Sequence, residues 1–199
     1  MKLRTRVYVD GYNLYYGRLK NTHHKWLDLR AMIERVLAGV HFGDGKERFE
    51  FELQPLAMKY FTASILKNFA KSKDSVSDQE QYHIALKVCL GDAIEIIKGT
   101  YQASAARAHL WQEGKQAREC EKVDIWKLVE KQSDVALALN AYSDAIRGEI
   151  DHAVIVTNDT DIVPALQLIK EHTKAKIGII APTRQKDVPV NQHLVNHSD

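Results

Sequence analysis

Hydrophobic positions change period several times along the chain, and each change predicts an element. Arg6 to Asp10 (RVYVD) is a short β-branched and aromatic run that ends in an acid and breaks at Gly11, predicting a strand that turns sharply. Trp26, Leu29, Ile33, Val36 and Leu37 keep helical spacing until Gly39. His41 to Glu52, charged and glycine-containing, reads as a loop, and Pro55 to Thr62 as a second strand. A polar stretch from Ser64 leads into a helix over Gln79 to Leu90, and Ala93 to Lys98 (AIEIIK) gives a third strand, closed by Gly99. Tyr101 to Lys122 supports neither period. A helix over Asp134 to Arg147 precedes Ala153 to Val156 (AVIV), an apolar run too short for a helix, as a strand buried on both faces of a parallel sheet reads. Asp161 to His172 is helical again, with Pro164 tolerated in the first turn. Lys176 to Ala181 (KIGIIA) is the fifth strand, and the tail from Pro182 is polar.

This alternation predicts an α/β fold, a central parallel five-stranded sheet with helices on both faces. In the order 3-2-1-4-5, strands one and four are neighbours at the switch point. Asp10 and Asp159 then face each other across one crevice, at the carboxyl strand ends where open α/β sheets bind ligands. The chain has 199 residues, 45% hydrophobic and 27% charged, enough for one domain with a sizeable core. No apolar run approaches a membrane span, and MKLRTRVYVDGYN lacks the features of a signal peptide, so a cytoplasmic location is expected. Cys89 and Cys120 lack the spacing of a disulfide framework or zinc site. The net charge of +2 excludes a strongly basic nucleic-acid coat.

Acids dominate the candidate chemistry. Asp159 and Asp161 follow the fourth strand, and either can cap the helix beginning near Thr160. Asp10, an acid at a second strand end, shifts the balance towards a site. Asp134 shares a helix face with Ala138, Ala141 and Ala145, small residues suited to lying close on a sheet, and is expected to point inward; a first-turn acid beside Ser133 is an equal alternative. Asn140 and Asp144 fall on a neighbouring flank, expected nearer solvent. Four acids in one cleft repel unless a cation compensates them, and oxygen-only ligands suit Mg²⁺ or Mn²⁺. HExxH, a nucleophile elbow and GxxxxGK are absent, which argues against zinc peptidase, acyl-transfer and nucleotide-triphosphatase chemistry. Tyr12, Tyr15 and Tyr16 suit base stacking or core packing equally. Lys67, Lys71, Lys73, Lys122, Lys131, Arg184 and Lys186 are candidates for phosphate contact, with a solvated face as the default for each.

VYVDGYNLYY (Val7 to Tyr16), KQSDVALALNAY (Lys131 to Tyr142) and VIVTNDTDIVPAL (Val154 to Leu166), in this order, resemble the NYN domain of the PIN-like nuclease superfamily. KYFTAS and EIIKGTYQ sit where that family carries its second and third strands, so the resemblance covers residues 1–199 as one domain. It implies a PIN-like three-layer sandwich and a metal-dependent endoribonuclease acting on RNA. It maps metal-binding acids onto Asp10, Asp134, Asp159 and Asp161, and a polar site residue onto Asn13. Tyr12, Thr157, Asn158, Lys122 and Arg184 are the accompanying substrate contacts expected. Asn140 stands where an acid is common in the family and Asn158 where glycine is. The first favours an alternative, an RNA-binding or regulatory module that no longer cleaves. A phosphatase of the haloacid dehalogenase type is disfavoured, because Tyr12 stands where that chemistry wants a second acid. The sequence leaves a homodimer or a partner protein open.

Overall fold

The computed structural model describes residues 2–39, 50–183 and 190–199. Arg184 and Lys186 lie outside these, as does most of the loop expected over His41 to Glu52; its last three residues belong to a strand. Among the described residues six strands, β1 (Lys2–Asp10), β2 (Glu50–Ala63), β3 (Ile94–His109), β4 (Lys122–Lys131), β5 (His152–Val156) and β6 (Lys176–Ile180), form one sheet in the order β4-β3-β2-β1-β5-β6. The five strands read from sequence are all parallel and stand in the expected order. The correction is β4, which pairs antiparallel with β3 from Thr100↔Lys131 to His109↔Lys122 and makes the sheet mixed.

Pairing of β3 with β2 ends at Gly99, so the outer part of β3 and all of β4 form a ribbon beyond the parallel core. Most ribbon residues are exposed or half-buried on both faces, which is why no apolar period marks them. Trp126 lies on this ribbon, largely exposed, and meets Phe69 edge-on at 6.0 Å between ring centroids. At the ribbon's root Gly99 lies against the Lys131 carbonyl, where a Cβ would collide with backbone. In β2 the register to β1 slips between Thr5 and Val7, and the slip takes up Pro55, which can donate no ladder hydrogen bond.

Among the described residues six α-helices flank the sheet: α1 (Gly11–Leu14), α2 (Leu29–Leu37), α3 (Ser75–Leu90), α4 (Ser133–Ile146), α5 (Val163–His172) and α6 (Gln192–Val195). Successive side chains of a strand point to opposite faces, and the core divides accordingly. Val7, Val9, Met58, Tyr60, Val154 and Val156 meet Leu29, Ile33 and Leu37 of α2 and Leu86 of α3. Tyr8, Phe61 and Ile155 meet Leu137 and Ala141 of α4, Leu166 and Ile169 of α5 and Leu194 of α6. Between α1 and α2, Tyr15–Leu19 form a π-turn closed by the Lys20 N–H on the Tyr15 carbonyl at 2.7 Å. Its wider spacing lets Leu14 and Leu19 both reach the core while Tyr15 and Tyr16 stay outside. Among the described residues no helix is long and apolar enough to cross a membrane.

Asp144 corrects a second expectation. It is fully buried rather than near solvent, and its carboxylate receives Arg6 at 2.7 Å, Lys59 at 2.9 Å, Arg147 at 2.9 Å and the Tyr8 hydroxyl at 2.7 Å. Asn140, one turn earlier and half-buried, accepts from the same Lys59 ammonium at 2.9 Å and donates to the Ala136 carbonyl. The network fastens α4 to β1 and β2.

The turn into α4 passes through Gln132 with φ of 82°, the left-handed region that side chains with a Cβ adopt at a cost of about 1–2 kcal/mol. Gln132→Gly is therefore expected to raise stability by about 0.5–1 kcal/mol once glycine's greater unfolded-state freedom is subtracted. A higher urea midpoint with unchanged slope would show it; a lower midpoint would mean that the glutamine side chain holds the turn.

Candidate active site

Neighbouring strands β1 and β5 run in parallel to Val9↔Val156, which sets Asp10 and Thr157 side by side just beyond. The Thr157 hydroxyl donates to Asp10 Oδ2 at 3.0 Å, and the Asn13 N–H donates to Oδ1 at 2.8 Å. Asp10 thus caps α1 while remaining at the strand end. The Asp159 N–H donates to the Thr157 oxygen at 3.1 Å, and Asp159 Oδ1 accepts the Asp161 N–H at 3.0 Å, capping the short 3₁₀ turn that leads into α5. Capping and site geometry coexist in both acids, so the plain reading and the functional one do not exclude each other.

Asp10, Asp134, Asp159 and Asp161 border one small space, together with Leu137, Thr157 and Ile162. Its volume is about 10 Å³, room for roughly one water-sized particle. Asp10 is buried and Asp159 half-buried. Asp134 turns towards the strand ends as expected but stays exposed to water at the rim, and Asp161 is exposed beside it. Burial pushes the Asp10 carboxyl up to about 6; the Asn13 and Thr157 donors oppose the shift, and negative Asp134 and Glu130 add to it. Asp134 is also raised, by partial burial first and then by Glu130, Asp159 and Asp161. Crowded carboxylates that raise one another's pKa favour a proton or a cation between them.

Glu130, near the end of β4, escaped sequence reading because its strand did. The Ser133 hydroxyl donates to its carboxylate. The density of β-branched and aromatic residues in VDIWKLV was the signal available, blurred because neither face of the ribbon is consistently apolar.

Asn13 and Asn158 brace the loops. The Asn158 N–H donates to Asn13 Oδ1 at 3.2 Å, and Asn158 Oδ1 accepts the Asn191 N–H at 3.0 Å, a bond glycine could not make. Asn140 is bound to Lys59 in the buried network, so that departure from the family pattern is accounted for by packing. Tyr12 stands next to Gly11 but does not line the acidic space, and its ring lies 4.4 Å from that of Tyr16. Lys122 lies at the far end of the ribbon, nine residues of strand from Lys131 and so about 30 Å from the root, outside the cleft. Arg184 lies outside the described residues.

The donor set fits a hard divalent cation in chemistry, being oxygen throughout, and in room. Among the described residues, no three carboxylate, imidazole or thiol groups already stand as a metal-holding cluster. The rim acids would have to close on the cation.

The mixed α/β sheet, parallel through β3-β2-β1-β5-β6, gathers acids beyond the ends of neighbouring strands β1 and β5. Residues 4–198 match the NYN domain, and the chain belongs to that family. It is 46% identical over 199 residues to the 6-hydroxy-3-succinoylpyridine 3-monooxygenase HspA of Pseudomonas putida (strain DSM 28022 / S16), across 97% of this chain and 64% of that protein. The chain therefore spans less than two thirds of that relative's length. A crystal structure of a protein of unknown function from Vibrio parahaemolyticus RIMD 2210633 shares the fold, with a TM-score of 0.51 and 16% identity over all of this chain and 90% of that one.

Proposed function

We propose that this chain hydrolyses RNA phosphodiester bonds at a divalent cation held by Asp10, Asp134, Asp159 and Asp161. One observation carries the reading: in an NYN chain, carboxylates from β1, α4 and the turn after β5 border a single water-sized space at the ends of neighbouring strands. Bound Mg²⁺ or Mn²⁺ supplies an acidified water and a countercharge for the phosphoryl oxygens. The chain's own contribution is orientation. Asn13 N–H and the Thr157 hydroxyl fix both oxygens of Asp10, and the Asp161 N–H fixes one oxygen of Asp159. Asp134 and Asp161, on the rim, would orient the attacking water through the cation's shell. Single-stranded RNA should be cleaved with Mn²⁺ and left intact with EDTA, and Asp159→Asn should remove the Mn²⁺-dependent cleavage without altering the far-ultraviolet circular dichroism. Equal cleavage by the variant rejects the assignment; RNA binding without turnover at saturating Mn²⁺ makes the chain a binding module.

The relative named as a 6-hydroxy-3-succinoylpyridine 3-monooxygenase favours a second reading, oxygenation of a heteroaromatic acid. That chemistry consumes O₂ and two electrons from a donor. Oxygen uptake that depends on both 6-hydroxy-3-succinoylpyridine and a reduced nicotinamide or flavin, with no RNA cleavage, would replace the first reading by the second.

A further inference from the structure

Beside the acids, on the other side of Gly11, opens a cavity of about 420 Å³, within the size range of small-molecule sites. Its walls are aromatic: Tyr12 and Tyr16 from the segment after β1, Trp26 before α2, Tyr82 from α3 and Tyr101 from the ribbon. These come from four separate parts of the chain, so the enclosure is a product of the fold and not of one motif. Trp26 and Tyr82 meet edge-on at 6.0 Å, and the Tyr82 hydroxyl is held by the Leu27 carbonyl at 3.1 Å, which fixes that wall. Cations line the same space. Lys20 sits 4.6 Å over the Tyr16 ring, and Lys25 and Lys71 are exposed at the edge, against one acid, Asp78. Buried His83 also lines it, with an Nδ1 that has no hydrogen-bond partner among the described residues.

We infer that this cavity binds a planar heteroaromatic ring carrying an anionic group. Aromatic faces recognise a flat ring by stacking without regard to its hydrogen-bonding edge, and lysines recognise the anion. A purely apolar guest would make no use of Lys25 and Lys71 at the edge. Continuity with the acids makes the cavity part of the same functional surface. Gly11 follows Asp10 directly and lines the cavity, and the buried Tyr60 ring beside it fills the place a Cβ on Gly11 would take, 2.6 Å from it. Resting on the nuclease reading, the ring is the base of a nucleotide flanking the scissile bond. The same chemistry in a free small molecule is a heteroaromatic carboxylic acid.

The full chain, kept in EDTA so that no metal takes part, should be titrated calorimetrically with adenosine 5′-monophosphate, uridine 5′-monophosphate and nicotinate at millimolar concentrations. Saturable one-to-one binding is expected, weakened about tenfold or more by Tyr16→Ala and by the double change Lys25→Ala with Lys71→Ala. All these side chains are exposed, so the variants should keep the thermal midpoint of the parent chain. Binding of nucleotides but not nicotinate assigns the cavity to nucleic acid, and the reverse assigns it to a free heteroaromatic acid. Binding in either arm by a chain that cleaves no RNA upholds the cavity while the nuclease reading falls. Absence of binding by all three probes, or binding that neither variant weakens, overturns the inference whatever the outcome with RNA.

Discussion

Asp144→Ala is expected to cost about 3–5 kcal/mol, a large part of the whole stability of an ordinary domain. The reason is what stays behind. Arg6 and Lys59 are themselves buried, and without the carboxylate Glu149 is, among the described residues, the one acid left paired with Arg6, while Lys59 keeps the neutral Asn140. Burial by itself would push the Asp144 carboxyl up; hydrogen bonds from Lys59, Arg6 and Tyr8 outweigh it and hold the group below the usual aspartate value. The sign of the pH dependence follows. A folded-state value below the unfolded one means that the contribution is complete above the unfolded value, about 3.9, and is lost as pH falls through the folded value. Urea unfolding should therefore show a large gap between parent and variant near neutral pH that closes in acid. A gap that persists unchanged well below pH 3 (roughly one unit under the unfolded value) would mean that packing, not charge, is what the variant loses.

Asp10→Asn carries the second large effect, and it moves two measurements in opposite directions. RNA cleavage with Mn²⁺ should fall at least about a hundredfold, since a ligand that supports several kcal/mol of transition-state stabilisation is gone. Stability without metal should rise. The folded Asp10 carboxyl is raised to about 6, so its favourable contribution is present below the unfolded value and lost as pH rises through about 6. At pH 8 the ionised form is a net cost of order 2 kcal/mol, which the neutral amide removes. Asparagine is also a good cap for α1. A variant that loses cleavage and melts lower has lost its fold; one that melts higher and still cleaves was never holding the cation.

The parallel part of the sheet was legible because β1 and β5 are buried on both faces. Such strands must be written almost wholly in apolar residues, and RVYVD and AVIV are. The acids were legible for a related reason: a carboxylate directly after such a run has nowhere to go but the strand end. The ribbon escaped notice because its residues answer to no core, and with it went Glu130. Asp134 reaches the strand ends as its face with Ala141 and Ala145 led one to expect, but at the first turn of α4 it also meets solvent at the rim. Asp144 was misread because periodicity reports which face of a helix a residue occupies, and not that four donors from β1, β2 and its own helix wait on that face. Of the aromatic cavity, sequence marked only Tyr12, Tyr15 and Tyr16 as candidates for stacking, because Trp26, Tyr82 and Tyr101 join them only through the fold.

The ribbon has one more consequence. Its second strand passes without interruption through Glu130 and Gln132 into the first turn that carries Asp134. The two strands beyond Gly99 rest chiefly on each other, so anything that grips the arm acts on a lever whose short end is an acid of the cleft. A molecule docking some 30 Å away, at the tip, is thereby connected by one continuous backbone to the geometry of the acids.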